Sequence, residues 1–380
     1  MSRVGRPNVL IAAVQVPFTR GGAEILVDKL RQELAVRDFN VDVVQLPFQA
    51  QPKEKLLDQM ALWRALDLTV FNGRKVDLVI CTKFPSYLLS HPNKVLWLVH
   101  QHRQLYDLYG TRFGDFTSGL EDEALRRMVV QADLTGLREC QALFTISQNV
   151  TVRLQRYLEL ESLSLPPPLP LGNRYFHGKR GDYILSVGRI CSIKRVDLII
   201  KALPGIPGEL KLKIVGVPDE PAIDTYLRSE IDKHHLWNRV EFLGRVTDDE
   251  LLQLYANCFA VYYAPFDEDY GFVTLEALAS GKPVITANDS GGVLEFVRDE
   301  ENGLVVESSE QAMGQAFSRL WSDLLLYDQL VRNALASEKI LDWDFLIGQL
   351  TATLVQKSEG ELSDDGERTT GELAGLQTAL

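Results

Sequence analysis

Apolar residues fall along this chain in two rhythms, and the alternation between them recurs through most of its length. Residues 9–16 form a short apolar run stopped by Pro17. Gly21-Gly22 follows, and residues 23–36 then carry apolar positions at helical spacing. The predicted elements are strand, glycine turn and helix. A second strand is expected at 40–46, a helix at 53–69, buried strands at 76–81 and 94–99, a helix at 121–140, and a short strand at 142–146 that closes this half. The strands are near-continuous in apolar residues, the pattern of a parallel sheet covered on both faces.

The rhythm stops at 163–170 (LSLPPPLP), whose prolines exclude helix and sheet interior. It resumes with strands at 183–187, 211–215, 240–243, 260–263, 283–286 and 303–306, separated by helices at 196–202, 221–235, 248–257 and 272–279. A long helical stretch, 310–357, is broken near Asp342-Trp343, and residues 358–380 are acidic, Gly/Ser/Thr-rich and without aromatics, so a disordered tail is expected there. The expected class is α/β, with two doubly wound, Rossmann-like domains facing across a cleft. Their bounds are 1–163 for the first domain, 164–180 for the linker, 181–340 for the second domain and 341–357 for a C-terminal helix. Ligands of such sheets bind beyond the carboxyl ends of the strands, where helix N-termini point.

A length of 380 residues agrees with two domains of about 150–190 residues each. The net charge of −12 argues against nucleic acid as a partner. That charge is uneven: residues 1–175 hold 21 Lys+Arg against 18 Asp+Glu, or +3, and the remainder holds 19 against 34, or −15. Contact with an anionic lipid surface would therefore fall to the first half, and with no span of about 18 apolar residues it would be peripheral at most. Cys81, Cys140, Cys191 and Cys258 lie far apart without ligand spacing and read as reduced thiols. The six histidines show no metal pattern. The first residues hold too short an apolar run for a signal peptide, so a cytoplasmic location is expected.

Four segments after predicted strands carry candidate chemistry. Gly21-Gly22, before a helix, lets backbone amides approach a diphosphate. Arg189 and Lys194, five apart in a strand-to-helix loop, supply a planar fork and a point charge able to grip the same group. In 266–281 (FDEDYGFVTLEALASG), Glu268 sits in a loop, Gly271 opens a helix, and Glu276 lies about one turn inside it. The amides of Phe272, Val273 and Thr274 at that helix start are available to phosphate or sugar oxygens. Asp267 and Asp269 read as capping or solvated acids. Last, 99–103 (VHQHR) places His100 and His102 at a strand end; spacing alone does not decide which faces the cleft, and a structural reading is the default for His102 and His91.

These residues together resemble glycosyltransferase family four. The resemblance rests on Glu268-x7-Glu276 within YGFVTLEALASGKPVI, on Asp289-Ser290-Gly291-Gly292 and Glu301-Asn302-Gly303, and on Gly188-Arg189 with Lys194. It extends to KIVG at 213–216, VEFLGRV at 240–246, and Gly21-Gly22-Ala23-Glu24, covering about residues 9–343. It implies the GT-B fold, in which the first domain takes the acceptor and the second the nucleotide-sugar, with a C-terminal helix crossing back to the first domain. It further implies a retaining hexosyltransferase that uses a nucleotide diphosphate-sugar as donor and needs no metal or other cofactor. By this resemblance Arg189 and Lys194 hold the donor diphosphate, assisted by Gly21 and Gly22, and Glu268 binds donor-sugar hydroxyls. Glu276 binds the ribose, the backbone near Val246 meets the base, and His100 contacts the transferred sugar. The acceptor would be a saccharide, as in polysaccharide biosynthesis, a lipid-linked saccharide or a small molecule. One departure stands out: Arg195 follows Lys194, where the family often has Gly. The rival functions are a sugar phosphorylase or nucleotide-sugar epimerase of the same fold, and a non-catalytic sugar-nucleotide-binding protein. No GxGxxG follows the first strand, which speaks against a dehydrogenase.

Overall fold

The computed structural model describes residues 5–18, 20–337 and 342–366, with side chains as far as residue 354. The first domain runs β1 (Asn8–Gln15), α1 (Gly22–Val36), β2 (Asn40–Pro47), α2 (Lys55–Ala65), a small antiparallel ribbon of β3 (Val70–Phe71) and β4 (Arg74–Lys75), β5 (Leu78–Lys83), β6 (Lys94–His100), α3 (Leu120–Arg138), β7 (Ala142–Thr145), α4 (Gln148–Leu158) and β8 (Leu163–Ser164). Six of its strands form a parallel sheet in the order β2-β1-β5-β6-β7-β8. All six residues of β5, and all of β6 up to His100, are buried, as strands covered on both faces must be. The edge strand β2 instead alternates between exposed and partly buried positions.

The second domain runs β9 (Tyr183–Val187), α5 (Val196–Ala202), β10 (Lys211–Val215), α6 (Pro221–Lys233), β11 (Val240–Gly244), α7 (Asp248–Asn257), β12 (Ala260–Tyr262), α8 (Phe272–Ala279), β13 (Val284–Ala287), β14 (Gly303–Val306), α9 (Glu310–Ser322) and α10 (Leu324–Leu335). Its parallel sheet has the order β11-β10-β9-β12-β13-β14. Strand order reverses between β1 and β5 in one sheet and between β9 and β12 in the other. Those are the points where ligands enter open α/β sheets.

Several expectations need correction. The first half does not close at its strand near 142–146: α4 follows, capped by the Ser147 hydroxyl, which accepts from the Val150 amide at 3.1 Å. Leu163 and Ser164, at the junction with the expected linker, pair with β7 as an edge strand that ends before the first proline. The 310–357 stretch breaks first at Asp323, whose carboxylate accepts from the Leu326 amide and so starts α10. The last helix, α11 (Trp343–Gly366), carries on past residue 357, so the tail expected to be disordered from 358 is helical to 366. Residues 367–380 lie outside the described residues. α11 packs on the first domain: Leu346, Ile347 and Leu350 join that core, Trp343 meets the Trp97 ring edge-on at 6.3 Å, and Arg37 Nε donates to Asp344 at 2.8 Å. Among the described residues no helix is long and apolar enough to cross a membrane.

The first-domain core also takes in Tyr270 and Leu275 from the second domain. The second domain has its own two apolar layers, one under α5, α6, α9 and α10 and one under α7 and α8. The segment that leads into α8 is therefore shared between the domains.

Candidate functional site

The loop from β9 to α5 is shaped by two backbone conformations. Gly188 has φ 133°, and a Cβ on Gly216 of the neighbouring strand end would come within 1.8 Å of the Gly188 carbonyl oxygen, so the two turns touch backbone to backbone. Ser192–Lys194 form one 3₁₀ turn, which ends at Arg195 with φ 52°. A left-handed conformation costs a non-glycine residue roughly 1–2 kcal/mol, which accounts for glycine as the common choice here. Arg195 offsets that cost through its side chain. The buried guanidinium donates to the Ala264 and Pro265 carbonyls at 2.7 and 2.8 Å, to both Asp289 oxygens at 2.6 and 2.8 Å, and to Ser308 Oγ at 2.6 Å. The departure from the family pattern is thus a tie that joins the loops after β9, β12, β13 and β14.

That tie sets Lys194 beside the end of β12. Its Nζ donates to Tyr263 Oη at 3.0 Å and to the Glu268 carboxylate, and Tyr263 Oη lies 3.0 Å from the same carboxylate. Burial alone would raise the pKa of Glu268 and lower that of Lys194, but each is held in its charged form by the other. Arg189 takes a different partner. It pairs with Asp219 at 2.8 Å while its side chain lies alongside Gly21 of the first domain. The cavity bounded by Gly188, Arg189, Lys194 and Tyr263 is about 10 Å³, room for about one water molecule. A concavity of about 650 Å³ borders the same loop on its Cys191–Arg195 side and reaches towards α6 and the start of α9. It holds neither Lys194 nor Glu268.

Across the cleft, α1 begins at Gly22. The Gly21 amide, expected to face a diphosphate, instead donates to Glu24 Oε2 at 2.8 Å, and Glu24 Oε1 accepts from Lys83 Nζ at 3.1 Å. Gly22 faces Phe272: a Cβ on Gly22 would sit 3.5 Å from that ring, so the starts of α1 and α8 meet directly. Gly271 adopts φ 89°, and a Cβ there would come within 3.2 Å of Tyr263 and Val293, so glycine is required. The Thr274 amide is not free as expected, because it donates to the Gly271 carbonyl at 3.0 Å in the first turn. Its buried hydroxyl has no hydrogen-bond partner among the described residues. Val273 is buried in the core beneath α8, and Val246 packs partly exposed on that layer beyond β11. Glu276 accepts from Tyr175 Oη at 3.0 Å and Tyr255 Oη at 2.8 Å, and burial raises its pKa.

The two histidines have different settings. His102 is buried among Phe84, Phe48 and Phe116 at ring separations of 5.4, 5.9 and 6.5 Å, and burial, then the neighbouring His100, pulls its pKa down to about 4. His100 ends β6 in register with Lys83, with Nδ1 2.8 Å from the Gln101 carbonyl. Burial lowers its pKa and the approach of Asp269 opposes that shift. His91 is fastened locally, with Nδ1 2.8 Å from the Asn93 carbonyl.

Sequence reasoning missed the seam beside this site. Asp267 and Asp269 cap no helix, and both are paired across the domain boundary. Arg153 of α4 pairs with Asp269 and with Asp267 Oδ2 at 3.1 Å, and Arg103 donates to the Asp267 carbonyl at 2.7 Å and to Asp107 at 2.6 Å. Asn149 Nδ2 reaches Asp267 Oδ1 at 2.8 Å and the Glu268 carbonyl at 2.9 Å, and Ser147 Oγ donates to the Asp269 carbonyl. In return Glu295 of the second domain accepts from the Gln148 and Asn149 amides at 3.0 and 2.7 Å, which caps α4. One signal was available: Arg153 falls among Val150, Leu154 and Leu158 on the apolar face of its helix, where a charge needs a buried partner. Among the described residues no group of three or more His, Cys, Asp or Glu converges as metal ligands would.

Residues 173–336 match the family model described as Glycosyl transferases group 1. Among curated relatives, a D-inositol 3-phosphate glycosyltransferase of Salinispora arenicola is 30% identical over 182 residues, covering 45% of this chain and 40% of that protein. The Alpha-1,3/1,6-mannosyltransferase ALG2 of Dictyostelium discoideum is 24% identical over 302 residues, covering 69% and 71%. The chain spans about two fifths of the length of the first curated relatives it matches. Among solved structures, sucrose-phosphate synthase from Thermosynechococcus elongatus superposes with TM-score 0.72 at 20% identity, covering 92% of this chain and 99% of that one. Anabaena Alr3699/HepE in complex with UDP and glucose gives TM-score 0.67 at 19% identity, covering 91% and 99%. The fold is thus the expected GT-B arrangement.

Proposed function

We propose that this chain, whose residues 173–336 match the family model of glycosyl transferases group 1, is a retaining, metal-independent glycosyltransferase. It moves a hexose from a nucleotide diphosphate-sugar to a saccharide, lipid-linked or small-molecule acceptor. The observation that carries this reading is the convergence of Lys194, Tyr263 and Glu268 where β9 and β12 part, opposite the start of α1. When the diphosphate enters, Lys194 and Arg189 exchange Glu268 and Asp219 for phosphate oxygens and stabilise the departing nucleotide. Glu268, relieved of Lys194, accepts hydrogen bonds from donor-sugar hydroxyls. Glu276 keeps unused lone pairs after its two tyrosine bonds, so it is already oriented to accept from a ribose. His100, kept neutral by burial and with its Nδ1 proton donated to the Gln101 carbonyl, has Nε2 left to accept from a hydroxyl of the transferred sugar.

In this mechanism the leaving phosphate takes the acceptor proton as the new bond forms on the same face of the sugar. Closure of the cleft keeps water from the reacting centre. Four unpaired cysteines support a cytoplasmic setting. The test is a thermal-shift screen against UDP, GDP, ADP and their common sugar conjugates, with and without EDTA, followed by NMR of the product anomer. The expected result is a midpoint raised by one nucleotide family and unchanged by EDTA, with the donor configuration kept. A shift abolished by EDTA removes the metal-free clamp, an inverted product removes retention, and no shift at millimolar nucleotide removes donor binding by the free protein.

A further inference from the structure

Glu268 rides on a loop that takes its supports from both domains. The second domain accepts its backbone amides: Asp267 N donates to Asp289 O at 2.8 Å and Glu268 N to Ser290 O at 3.1 Å. The first domain supplies donors to the carbonyls and to the flanking acids. Arg103 and Arg153 share the Asp267 carbonyl, Asn149 takes the Glu268 carbonyl, and Arg153 pairs with Asp269. Asp267 itself is held at φ 42°, a left-handed conformation that its surroundings must enforce. Arg153 is buried, and the same guanidinium reaches Asp107 at 3.3 Å, so its position is set by three acids at once.

From this geometry we infer that Arg153 and Asp269 are a positioning pair that spans the two domains and aims the Glu268 carboxylate at the donor sugar. The inference rests on the glycosyl-transfer reading given above. Neither residue touches the nucleotide clamp. Arg189 and Glu276 bond to Asp219, Tyr175 and Tyr255, none of which belongs to α4, and Lys194, although it bonds to Glu268, is also held by Tyr263 at the end of β12. A change in how α4 sits on the second domain therefore shifts Glu268 and leaves Arg189, Glu276 and the Tyr263 support of Lys194 in place. Capture of the sugar is thereby coupled to the arrangement of the two domains, while capture of the nucleotide is not.

The experiment compares affinity for a nucleoside diphosphate with affinity for its sugar conjugate (UDP with UDP-glucose, and GDP with GDP-mannose) by calorimetry on the full chain. Wild type, Asp269→Asn, Arg153→Lys and Asn149→Ala are measured, each with its melting midpoint and its kcat and KM. In Asp269→Asn the diphosphate is expected to bind within about twofold of wild type, while the extra affinity supplied by the sugar falls about tenfold and kcat about a hundredfold. Arg153→Lys keeps a cation and recovers part of the loss. Asn149→Ala removes two hydrogen bonds without stranding a charge, and shows the same split at smaller size. An unchanged sugar-to-nucleotide ratio in well-folded variants overturns the pairing role. A parallel loss of both affinities with the melting midpoint overturns it too, in favour of plain fold maintenance. A wild-type protein that binds neither nucleotide overturns the glycosyl-transfer reading first and this inference with it.

Discussion

Two cationic clusters stand side by side in this molecule, and they differ in what they can let go. At the clamp, the Arg189 side chain is 46% exposed and faces Asp219 at 28%. Its bond can be exchanged for another anion at little cost, because water solvates both partners during the switch. At the seam, the Arg153 side chain is 3% exposed and Asp269 14%. Neither can lose its partner without leaving a charge in a poorly solvated site. Lys194 and Glu268 lie between these extremes at 17% and 16%, tied to each other yet at the cleft. The same chemistry, arginine or lysine against carboxylate, thus serves exchange in one place and fixation in the other, and burial makes the difference.

The comparison breaks most readily at the seam. Arg153→Ala is expected to lower unfolding free energy by about 3–5 kcal/mol at pH 7, since it takes the shared buried cation from Asp267, Asp269 and Asp107 and leaves Arg103 alone to offset them. Urea unfolding measures it, and a loss below about 1 kcal/mol would mean the seam is solvated in solution. At the clamp the main effect should be kinetic. Lys194→Ala or Arg189→Ala is expected to slow turnover roughly 10²–10³-fold, and Arg189→Ala should scarcely move the melting midpoint. Wild-type turnover in both variants would remove the clamp from the mechanism.

The smallest effect is a titration. Burial alone would raise the Asp269 pKa, but Arg103 and Arg153, with His100, bring it down to about 2 from an ordinary 3.8. A depressed carboxylate contributes stability that is fully present above its unfolded pKa and is lost as pH falls through the folded one. Wild type should therefore lose this contribution between about pH 4 and pH 2, and Asp269→Asn should lack that component of its acid sensitivity. Parallel acid-unfolding curves for the two proteins would assign the depressed group elsewhere.

Much of the fold could be read along the chain. The bounds expected for β9, β10, β14, α5, α7 and α8 coincide with those observed, because each is a short apolar run or a helix bracketed by glycine, proline or a capping residue. α4 escaped notice since Val150, Thr151 and Val152 lower helix propensity and one charged residue interrupts its apolar face. At the candidate site, Lys194 and Glu268 were named in advance and do meet. Tyr263 between them was not, because a tyrosine at a strand end reads as core. Gly21 and Thr274 were expected to offer amides that the structure has already used, since a side chain three residues on and a carbonyl three residues back reach them first.

The sequence by itself determined the two series of parallel strands, the turns that need glycine, and the cations and acids brought to the strand ends. Those features follow from local periodicity and from backbone conformations that few residues tolerate. Only the tertiary structure decided that Asp269 belongs to Arg153, 116 residues away, that Arg195 joins four loops, and that His100 and not His102 stands beside the second domain. A charge carries no record in the sequence of the partner that will neutralise it; burial selects that partner once the two domains have closed on each other.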